Sequence, residues 1–120
     1  MPRFALLEHD HPSAHLDLLL EDGGVLLAWR LGALPPDGGS VPAVRNFDHR
    51  LVYLDYEGPV SGGRGSVRRL DGGELVWLER TPRRLAAQVS GRTLDGRLEL
   101  THVEGDEWRL TYVSAARPAG

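Results

Sequence analysis

The amino-acid sequence predicts an all-β fold: a compact single-domain antiparallel β-barrel of about eight strands with little helix. Glycine and proline are frequent, with 15 and 8 among 120 residues, and they cluster between short apolar runs. These clusters recur at intervals of roughly 8–12 residues, which is the strand spacing of small β-proteins. No segment carries a convincing helical stripe of apolar side chains. We therefore assign residues 1–114 to one barrel domain and residues 115–120 to a C-terminal tail.

Strands are predicted wherever an apolar or alternating run lies between turn signals. Residues 32–46 are predicted to form a loop, because they contain a cluster of prolines and glycines. The Asp-Gly-Gly sequence at residues 71–73 is predicted to be a turn. The predicted strands are residues 4–7, 15–21, 25–31, a strand through residues 49–55, and then 67–70, 74–79, 85–89, 98–103 and 108–113.

A hairpin is predicted at residues 22–24, where Asp-Gly-Gly is a strong signal for a tight turn. If the first two of these residues form the loop, Arg30 lies opposite His15. If the last two form it, Arg30 lies opposite Asp17. Cross-strand partners share a face of the sheet in either register. We therefore expect Arg30 on the face of His15 and Asp17, and Trp29 on the opposite face, toward the core.

The composition excludes several kinds of chemistry. All 14 basic residues are arginine and there is no cysteine, so lysine Schiff bases, lysyl-nucleotide intermediates, disulfides and thiol catalysis are excluded. The formal charge of −3 gives no overall basic field for nucleic acid, although arginine is the better bidentate partner for phosphate. The N-terminus lacks a signal-peptide layout, and no apolar run approaches about 18 residues. We therefore expect a cytoplasmic protein without a membrane partner.

Three of the five histidines lie within residues 9–15. On a strand, alternate side chains share a face, so His15 and Asp17 stand side by side, with His9 supplied by the preceding segment. Two imidazoles and a carboxylate form a common ligand set for a divalent transition metal. The residues alone leave Mn, Zn, Fe and Co open. We expect the neighbouring His11 to lie on the surface.

A second group of polar side chains follows the predicted loop. On the strand predicted there, His49 shares a face with Leu51, Tyr53 and Asp55. His49 and Tyr53, two pleats apart, are a potential donor pair for an anion, and His49 is also a candidate general acid near neutral pH.

Four blocks of the sequence together resemble a known family, in order and at compatible spacing. They are His9-x5-His15-x-Asp17-x2-Leu20-Glu21, Asp22-Gly23-Gly24-Val25-Leu26-x2-Trp29, Asp48-His49-x-Leu51-x-Tyr53-x-Asp55-Tyr56-Glu57-Gly58, and a closing series of leucines and glycines with Trp108-x-Leu110. The pattern resembles the 3′-phosphoesterase domain of bacterial DNA ligase D, the end-processing module of bacterial non-homologous end joining. The resemblance covers nearly the whole chain, as a stand-alone and divergent member.

The resemblance implies a manganese-dependent activity on DNA 3′ ends, which removes a 3′-terminal ribonucleoside and then the remaining 3′-phosphate. It matches His9, His15 and Asp17 to the metal ligands, with Mn as the expected ion and Zn or Co as alternatives. It matches His49 and Tyr53 to residues at the scissile phosphate. Nucleic-acid 3′ ends, and a separate ligase or polymerase, are the implied partners of a protein expected to be a monomer.

One position departs from the family pattern, and one matching position has no assigned role. Where the family motif has an arginine, four residues after the second metal histidine, this chain has Leu19. Either the phosphate clamp is lost, or another arginine replaces it. Arg30 is the natural replacement because the hairpin puts it within one cross-strand step of position 19, and Arg45 and Arg64 are lesser candidates. Glu21 matches a family carboxylate of unassigned role.

The residues therefore leave three functions open. The first is a metal-dependent phosphoesterase that acts on nucleic-acid 3′ ends. The second is a catalytically weakened module of the same fold, which binds nucleic-acid ends or a partner protein. The third is a small-molecule phosphoesterase, which the net negative charge favours because DNA affinity usually rests on several arginine or lysine contacts to phosphates.

Overall fold

The computed structural model describes residues 1–115, so the predicted tail lies outside the described residues from residue 116 onward. Among the described residues, no helix has the length and apolar character needed to cross a membrane. The elements are nine strands and one short 3₁₀ helix: β1 (Arg3–His9), β2 (His15–Asp22), β3 (Val25–Leu31), β4 (Ser40–His49), the 3₁₀ helix (Leu51–Leu54), β5 (Gly58–Pro59), β6 (Ser66–Arg80), β7 (Arg84–Ser90), β8 (Asp95–Glu104) and β9 (Glu107–Ser114).

Eight of the strands form a closed antiparallel barrel. Their order is β1-β2-β3-β4-β9-β8-β7-β6, and β6 pairs back with β1 to close the ring. The two residues of β5 pair with the start of β6. Closure leaves the eight barrel strands without a free edge, which removes a site for edge-to-edge aggregation. The predicted all-β barrel of about eight strands with little helix is confirmed.

The barrel interior is filled by one face of each strand. Leu18 and Leu20 of β2 pack there with Trp29 and Leu31 of β3, all at most 1% exposed. The hairpin loop is Gly23-Gly24, which places Arg30 opposite Asp17 and therefore on the outer face. The predicted core positions on β2 and β3 are confirmed.

A second apolar cluster lies on the outer face of β1, β2 and β3. Its strand members include Leu7, Leu19 and Leu26, and it is covered by residues 50–65, which we call the covering segment. Leu54 of the 3₁₀ helix packs into this cluster. Strands β1 to β3 are therefore buried on both faces near the cluster, which explains why their sequences are largely apolar rather than cleanly alternating.

The predicted loop at residues 32–46 is partly wrong. Residues from Ser40 onward belong to β4, which pairs with β3 on one side and β9 on the other. Pro42 weakens the sequence signal for a strand because proline cannot donate to a ladder. At Pro42 the strand pairs with β9 alone, because its pairing with β3 begins at the neighbouring Ala43, which is fully buried in the core.

The predicted strand through residues 49–55 is wrong. β4 ends at His49, and a 3₁₀ turn follows, in which the Tyr53 N–H donates to the Arg50 carbonyl at 3.1 Å. β-branched and aromatic residues favoured a strand, but burial of Leu54 on the outer face outweighs this preference.

Charged and hydrogen-bonding contacts tie the 3₁₀ turn to the barrel. The Arg3 guanidinium bonds both carboxylate oxygens of Asp55, at 2.6 and 3.0 Å, and holds the pKa of this exposed carboxyl below its usual value. Arg69 Nε donates to the Leu54 carbonyl at 2.9 Å, while Glu57 accepts the Arg69 backbone N–H. These contacts link the covering segment to β1 and β6.

The predicted turn at residues 71–73 is also wrong, because β6 runs through it without a break. Its first half pairs with β1 and its second half with β7, so the change of partner occurs where the turn was expected. Gly73 is required by close approach: a Cβ there would overlap the Ser90 carbonyl oxygen. The Asp71 carboxylate is 4% exposed and accepts backbone N–H bonds from residues 92–94 at 2.7–3.0 Å.

We expect Asp71→Ala to lower the free energy of unfolding by about 3 kcal/mol, because backbone donors of residues 92–94 lose their acceptor at a largely buried site. Chemical denaturation followed by tryptophan fluorescence measures the change. Asp106→Ala, at an exposed carboxylate on the β8–β9 turn, is the control and should stay within about 0.5 kcal/mol of the wild type. Equal effects of the two substitutions would contradict this role for Asp71.

Candidate metal centre and adjoining pocket

Three potential ligands meet on the outer face of the barrel, where β1 ends and β2 begins. His9 and His15 are direct partners across the β1–β2 pair, and their ring centroids are 4.9 Å apart. Asp17 follows His15 on the same face of β2, as the alternation of side chains predicts. The predicted group of His9, His15 and Asp17 is therefore brought together by one antiparallel hairpin.

The donor atoms of these three side chains lie within 4.8 Å of one another. His9 Nδ1 is 3.3 Å from Asp17 Oδ2, and His15 Nε2 is 3.1 Å from Asp17 Oδ1. His15 and Asp17 are only 8% and 4% exposed. Water therefore has little access to two of the three potential ligands.

Backbone carbonyls determine which imidazole nitrogens face the centre of the group. His9 Nε2 donates to the Arg64 carbonyl at 2.8 Å, and His15 Nδ1 donates to the Ser13 carbonyl at 2.7 Å. A carbonyl oxygen can only accept, so each of these nitrogens carries a hydrogen. In a neutral ring the other nitrogen then presents a lone pair toward Asp17. His15 Nε2 is buried and has no hydrogen-bond partner among residues 1–115.

This arrangement fits a divalent cation. Two lone pairs and a carboxylate that face one another repel without positive charge between them, whereas a cation would satisfy all three. Metal-bound histidines commonly donate their second nitrogen to a carbonyl, as both histidines do here. Two imidazoles and one carboxylate suit Mn, Zn, Fe and Co alike. The assignment of His9, His15 and Asp17 as ligands stays a prediction.

The Arg64 carbonyl is a contribution that the sequence did not reveal. The glycine-rich turn before β6, at residues 61–65, passes over the end of β1 and brings this carbonyl to His9. A Cβ on Gly65, whose φ is +73°, would overlap Asp10 Oδ1 and lie 2.7 Å from His11 Cβ. Glycine therefore allows the turn to approach the histidine segment closely. A main-chain acceptor leaves no residue-type signal, so only the fold could identify it.

A pocket of about 250 Å³ adjoins the group, between the barrel surface and the covering segment. His9 and Asp17 reach it from the metal-ligand group, and Arg30, His49 and Tyr53 also line it. The pocket thus places all the predicted catalytic residues beside two of the predicted ligands. The remaining lining residues are Leu7, His11, Pro12, Asn46, Phe47, Asp48, Arg50, Val60, Arg64 and Val67.

Arg30 differs from the other two arginines considered as clamps. Its guanidinium forms no hydrogen bond or ion pair within residues 1–115, and its Nε atom is buried. Arg45 instead pairs with Asp48 at 2.7 Å and lies 4.9 Å from the Trp29 ring centroid. The Arg64 guanidinium folds back onto Ser61. Arg30 therefore has the most available charge of the three.

His49 and Tyr53 meet even though they do not share a strand. Four residues of a strand span about 13 Å, whereas the 3₁₀ turn brings the two ring centroids to 5.7 Å with an edge-to-face contact. His49 Nδ1 donates to the Phe47 carbonyl at 2.9 Å, which leaves Nε2 available to the pocket. The predicted pair of His49 and Tyr53 is therefore in contact, but through a 3₁₀ turn and not along a shared strand face.

The remaining positions singled out in the sequence are also placed. Leu19 is fully buried in the outer apolar cluster. Glu21 accepts the Arg3 backbone N–H at 2.9 Å, and its carbonyl accepts the Trp77 indole N–H at 3.1 Å, so it ties strands together away from the pocket. His11 is exposed as expected and lies at the pocket rim.

The fold and the site define a class of protein: a small closed β-barrel with a candidate metal centre and an arginine-containing pocket on its outer face. The family model described as the DNA ligase D 3′-phosphoesterase domain matches residues 7–112. The chain belongs to this family, and the resemblance drawn from its motifs is confirmed.

The chain is similar to part of much longer proteins from two mycobacteria, whose names describe them as multifunctional. The chain is 31% identical over 114 residues to the multifunctional non-homologous end joining protein LigD of Mycobacterium bovis. The same identity relates it to the multifunctional non-homologous end joining DNA repair protein LigD of Mycobacterium tuberculosis. Both matches cover 88% of this chain but only 15% of the relative. Family membership implies a phosphoesterase role in end processing.

We expect Gly65→Ala to weaken Mn²⁺ binding by about 10-fold or more, because the displaced turn withdraws the Arg64 carbonyl from His9. Isothermal titration calorimetry measures the affinity. Gly63→Ala is the matched control: Gly63 has a similar φ of +67°, but a Cβ there meets nothing within 4 Å. Equal affinities in the two variants would contradict a supporting role for the carbonyl.

Proposed function

We propose that this domain is a divalent-metal-dependent phosphoesterase, with manganese as the working ion, that removes 3′-terminal ribonucleosides and 3′-phosphates from nucleic-acid ends. One observation supports this most strongly. The lone pairs of His9 and His15 converge with the Asp17 carboxylate beside a pocket that contains the unpaired Arg30. Cation-binding and anion-binding groups are thus adjacent, as a phosphate ester requires.

In this proposal His9, His15 and Asp17 hold the metal, which would act as a Lewis acid on a phosphoryl oxygen. The Arg30 guanidinium binds the non-bridging oxygens and stabilises the charge that develops on them. Arg30 lies opposite Asp17, on the same face as position 19, and takes over the role of the arginine that the family motif has at position 19. The apolar residue at position 19 then contributes packing instead of charge.

His49 and Tyr53 also line the pocket, and in this proposal they act as donors to the phosphate. The His49 ring keeps a hydrogen on Nδ1 for the Phe47 carbonyl, so Nε2 donates only in the imidazolium form: it takes up a proton from water and passes it to the leaving oxygen. The Tyr53 hydroxyl is a second potential donor. Among the described residues, no serine, threonine or cysteine lines the pocket, and His49 and Tyr53 are assigned here as donors, so we assign the attack to water. Detection of a covalent phospho-enzyme would contradict that assignment.

The proposed setting is DNA end joining in the cytoplasm. The mycobacterial relatives carry this function in their names. Ligase and polymerase activities would then act on the same ends before or after this domain, with the domain itself as a monomer. Three arginines line the pocket, Arg30, Arg50 and Arg64, against two aspartates, Asp17 and Asp48, so arginine is in local excess despite the net charge of −3.

We expect the protein to process a primer–template that ends in one ribonucleotide or a 3′-phosphate when Mn²⁺ is present. Chelation by EDTA should abolish product formation, and added Mn²⁺ should restore it. His9→Ala should abolish turnover through loss of a ligand, and His49→Ala should reduce it by about 10²- to 10⁴-fold through loss of a proton donor. Denaturing gel electrophoresis of labelled primers measures each product.

His102→Ala is the control for these histidine variants, because His102 lies on β8 and bonds the Gly105 carbonyl outside the pocket. It should retain wild-type turnover. End binding without turnover would instead indicate a binding module. Turnover of a small phosphomonoester without DNA affinity would indicate a small-molecule enzyme. Either result would contradict the proposed function.

We expect Arg30→Ala to lower kcat/KM by about 10²- to 10³-fold, because the phosphoryl charge loses a preorganised donor. Arg30→Lys should fall between, since it keeps the charge but loses the bidentate geometry. Single-turnover kinetics on the 3′-phosphate primer separate the chemical step from binding.

Arg83→Ala, at an exposed arginine on the β7 side of the barrel, is the matched control and should leave kcat/KM unchanged. If Arg30→Ala retained full activity, the replacement of the family arginine by Arg30 would be wrong.

A further inference from the structure

Phe47 is an exposed aromatic residue at the rim of the pocket. Its side chain is 67% exposed. The structure describes all eight phenylalanine, tryptophan and tyrosine residues of the chain, and the other seven are buried or half-buried. Phe47 belongs to neither apolar cluster. Burial in the fold therefore does not explain an aromatic residue at this position.

The Phe47 ring is held in a defined orientation. It stacks on the His49 ring with centroids 5.0 Å apart and an angle of 15° between the planes. The His49 ring in turn contacts Tyr53 edge to face at 5.7 Å, and Tyr53 contacts Tyr56 in the same way. One face of Phe47 thus covers His49, and the high exposure of the side chain leaves the other face accessible to a ligand.

The residues that line the pocket beside the Phe47 ring indicate which kind of ligand could bind there. Phe47 lines the same pocket as Arg30 and Arg50, neither of which forms an ion pair within the described residues. A ligand that fills both parts must carry an anionic group and a flat π face. A nucleoside with a 3′-phosphate has both. Stacking on an aromatic side chain is also independent of charge, which suits a protein with a net charge of −3.

We propose that Phe47 stacks on the nucleobase of the 3′-terminal nucleoside, while the pocket holds the phosphate attached to it. This inference rests on the proposed function and adds a determinant of substrate choice to it. The site then recognises a phosphate together with a terminal base, with little dependence on base identity because every base has a π face. The nucleoside can belong to a polynucleotide or to a free nucleoside 3′-phosphate.

Two oligonucleotides test the proposal, identical except that the 3′-phosphorylated terminal nucleotide either carries its base or is abasic. We expect the wild-type protein with Mn²⁺ to prefer the base-bearing end by about 10-fold in kcat/KM. Phe47→Leu, which keeps apolar area but removes the π face, should lower the base-bearing value to the abasic value. Phe47→Trp should retain the preference.

The abasic end also distinguishes stacking from an effect through His49. If Phe47→Leu lowered kcat/KM equally on both ends, Phe47 would act by positioning His49, and the proposal would be overturned. Equal use of the two ends by the wild-type protein would overturn it as well. Val103→Ala, at a 60% exposed apolar side chain on β8, controls for loss of exposed apolar area and should change neither value.

A binding measurement keeps the proposal testable if turnover is absent. An oligonucleotide that ends in 2-aminopurine 3′-phosphate reports stacking by fluorescence quenching, with the protein either loaded with Mn²⁺ or metal-free. Quenching by the wild type that is lost in Phe47→Leu would support stacking even if no product formed, in which case only the proposed function would fail. Absence of quenching would overturn the stacking proposal. A 2-aminopurine nucleoside 3′-phosphate, compared in parallel, shows whether a free nucleotide suffices.

Discussion

The double pairing of β1 is the constraint on which the rest of the structure depends. β1 lies between β2 and β6, so it both starts the barrel and closes it. Across β2, this pairing sets His9 opposite His15; across β6, it sets His9 opposite Val67, just after the glycine-rich turn. The turn then supplies the Arg64 carbonyl that orients the His9 ring. The β1–β2 hairpin thus brings the candidate ligands together, and closure of the barrel through β6 adds the backbone acceptor of His9.

The site occupies the outer surface of a barrel wall rather than the barrel interior. This is possible because β1 to β3 are covered on both faces, by the core inside and by residues 50–65 outside. The outer apolar cluster forms a dry base next to the polar group, with Leu19 two residues from Asp17 on the same face of β2. A low-dielectric base of this kind strengthens the electrostatic interactions above it.

Local periodicity predicted the parts of the site that one hairpin builds. The alternation of β2 and the turn at residues 22–24 placed His15, Asp17 and Arg30 on one face, and the structure agrees. The contact of His49 with Tyr53 arises differently, because packing of Leu54 on a distant surface forces a 3₁₀ turn into a strand-like sequence. The unbroken β6 was missed for a related reason. Gly73 is there because β7 approaches closely at Ser90, and a close approach by another strand leaves no pattern in the local sequence.

The Arg64 carbonyl has a consequence for the order in which the centre matures. His9 and His15 are joined by a short hairpin, which can form early and locally, whereas His9 and Arg64 are separated by 55 positions in the chain. Contacts of such long range form late, because the loop they close costs entropy before any contact repays it. A partly folded chain can thus hold both imidazoles without the acceptor that fixes the tautomer of His9. The contacts of the candidate centre are therefore complete only when the ring of strands closes, which links them to the topology of the whole domain.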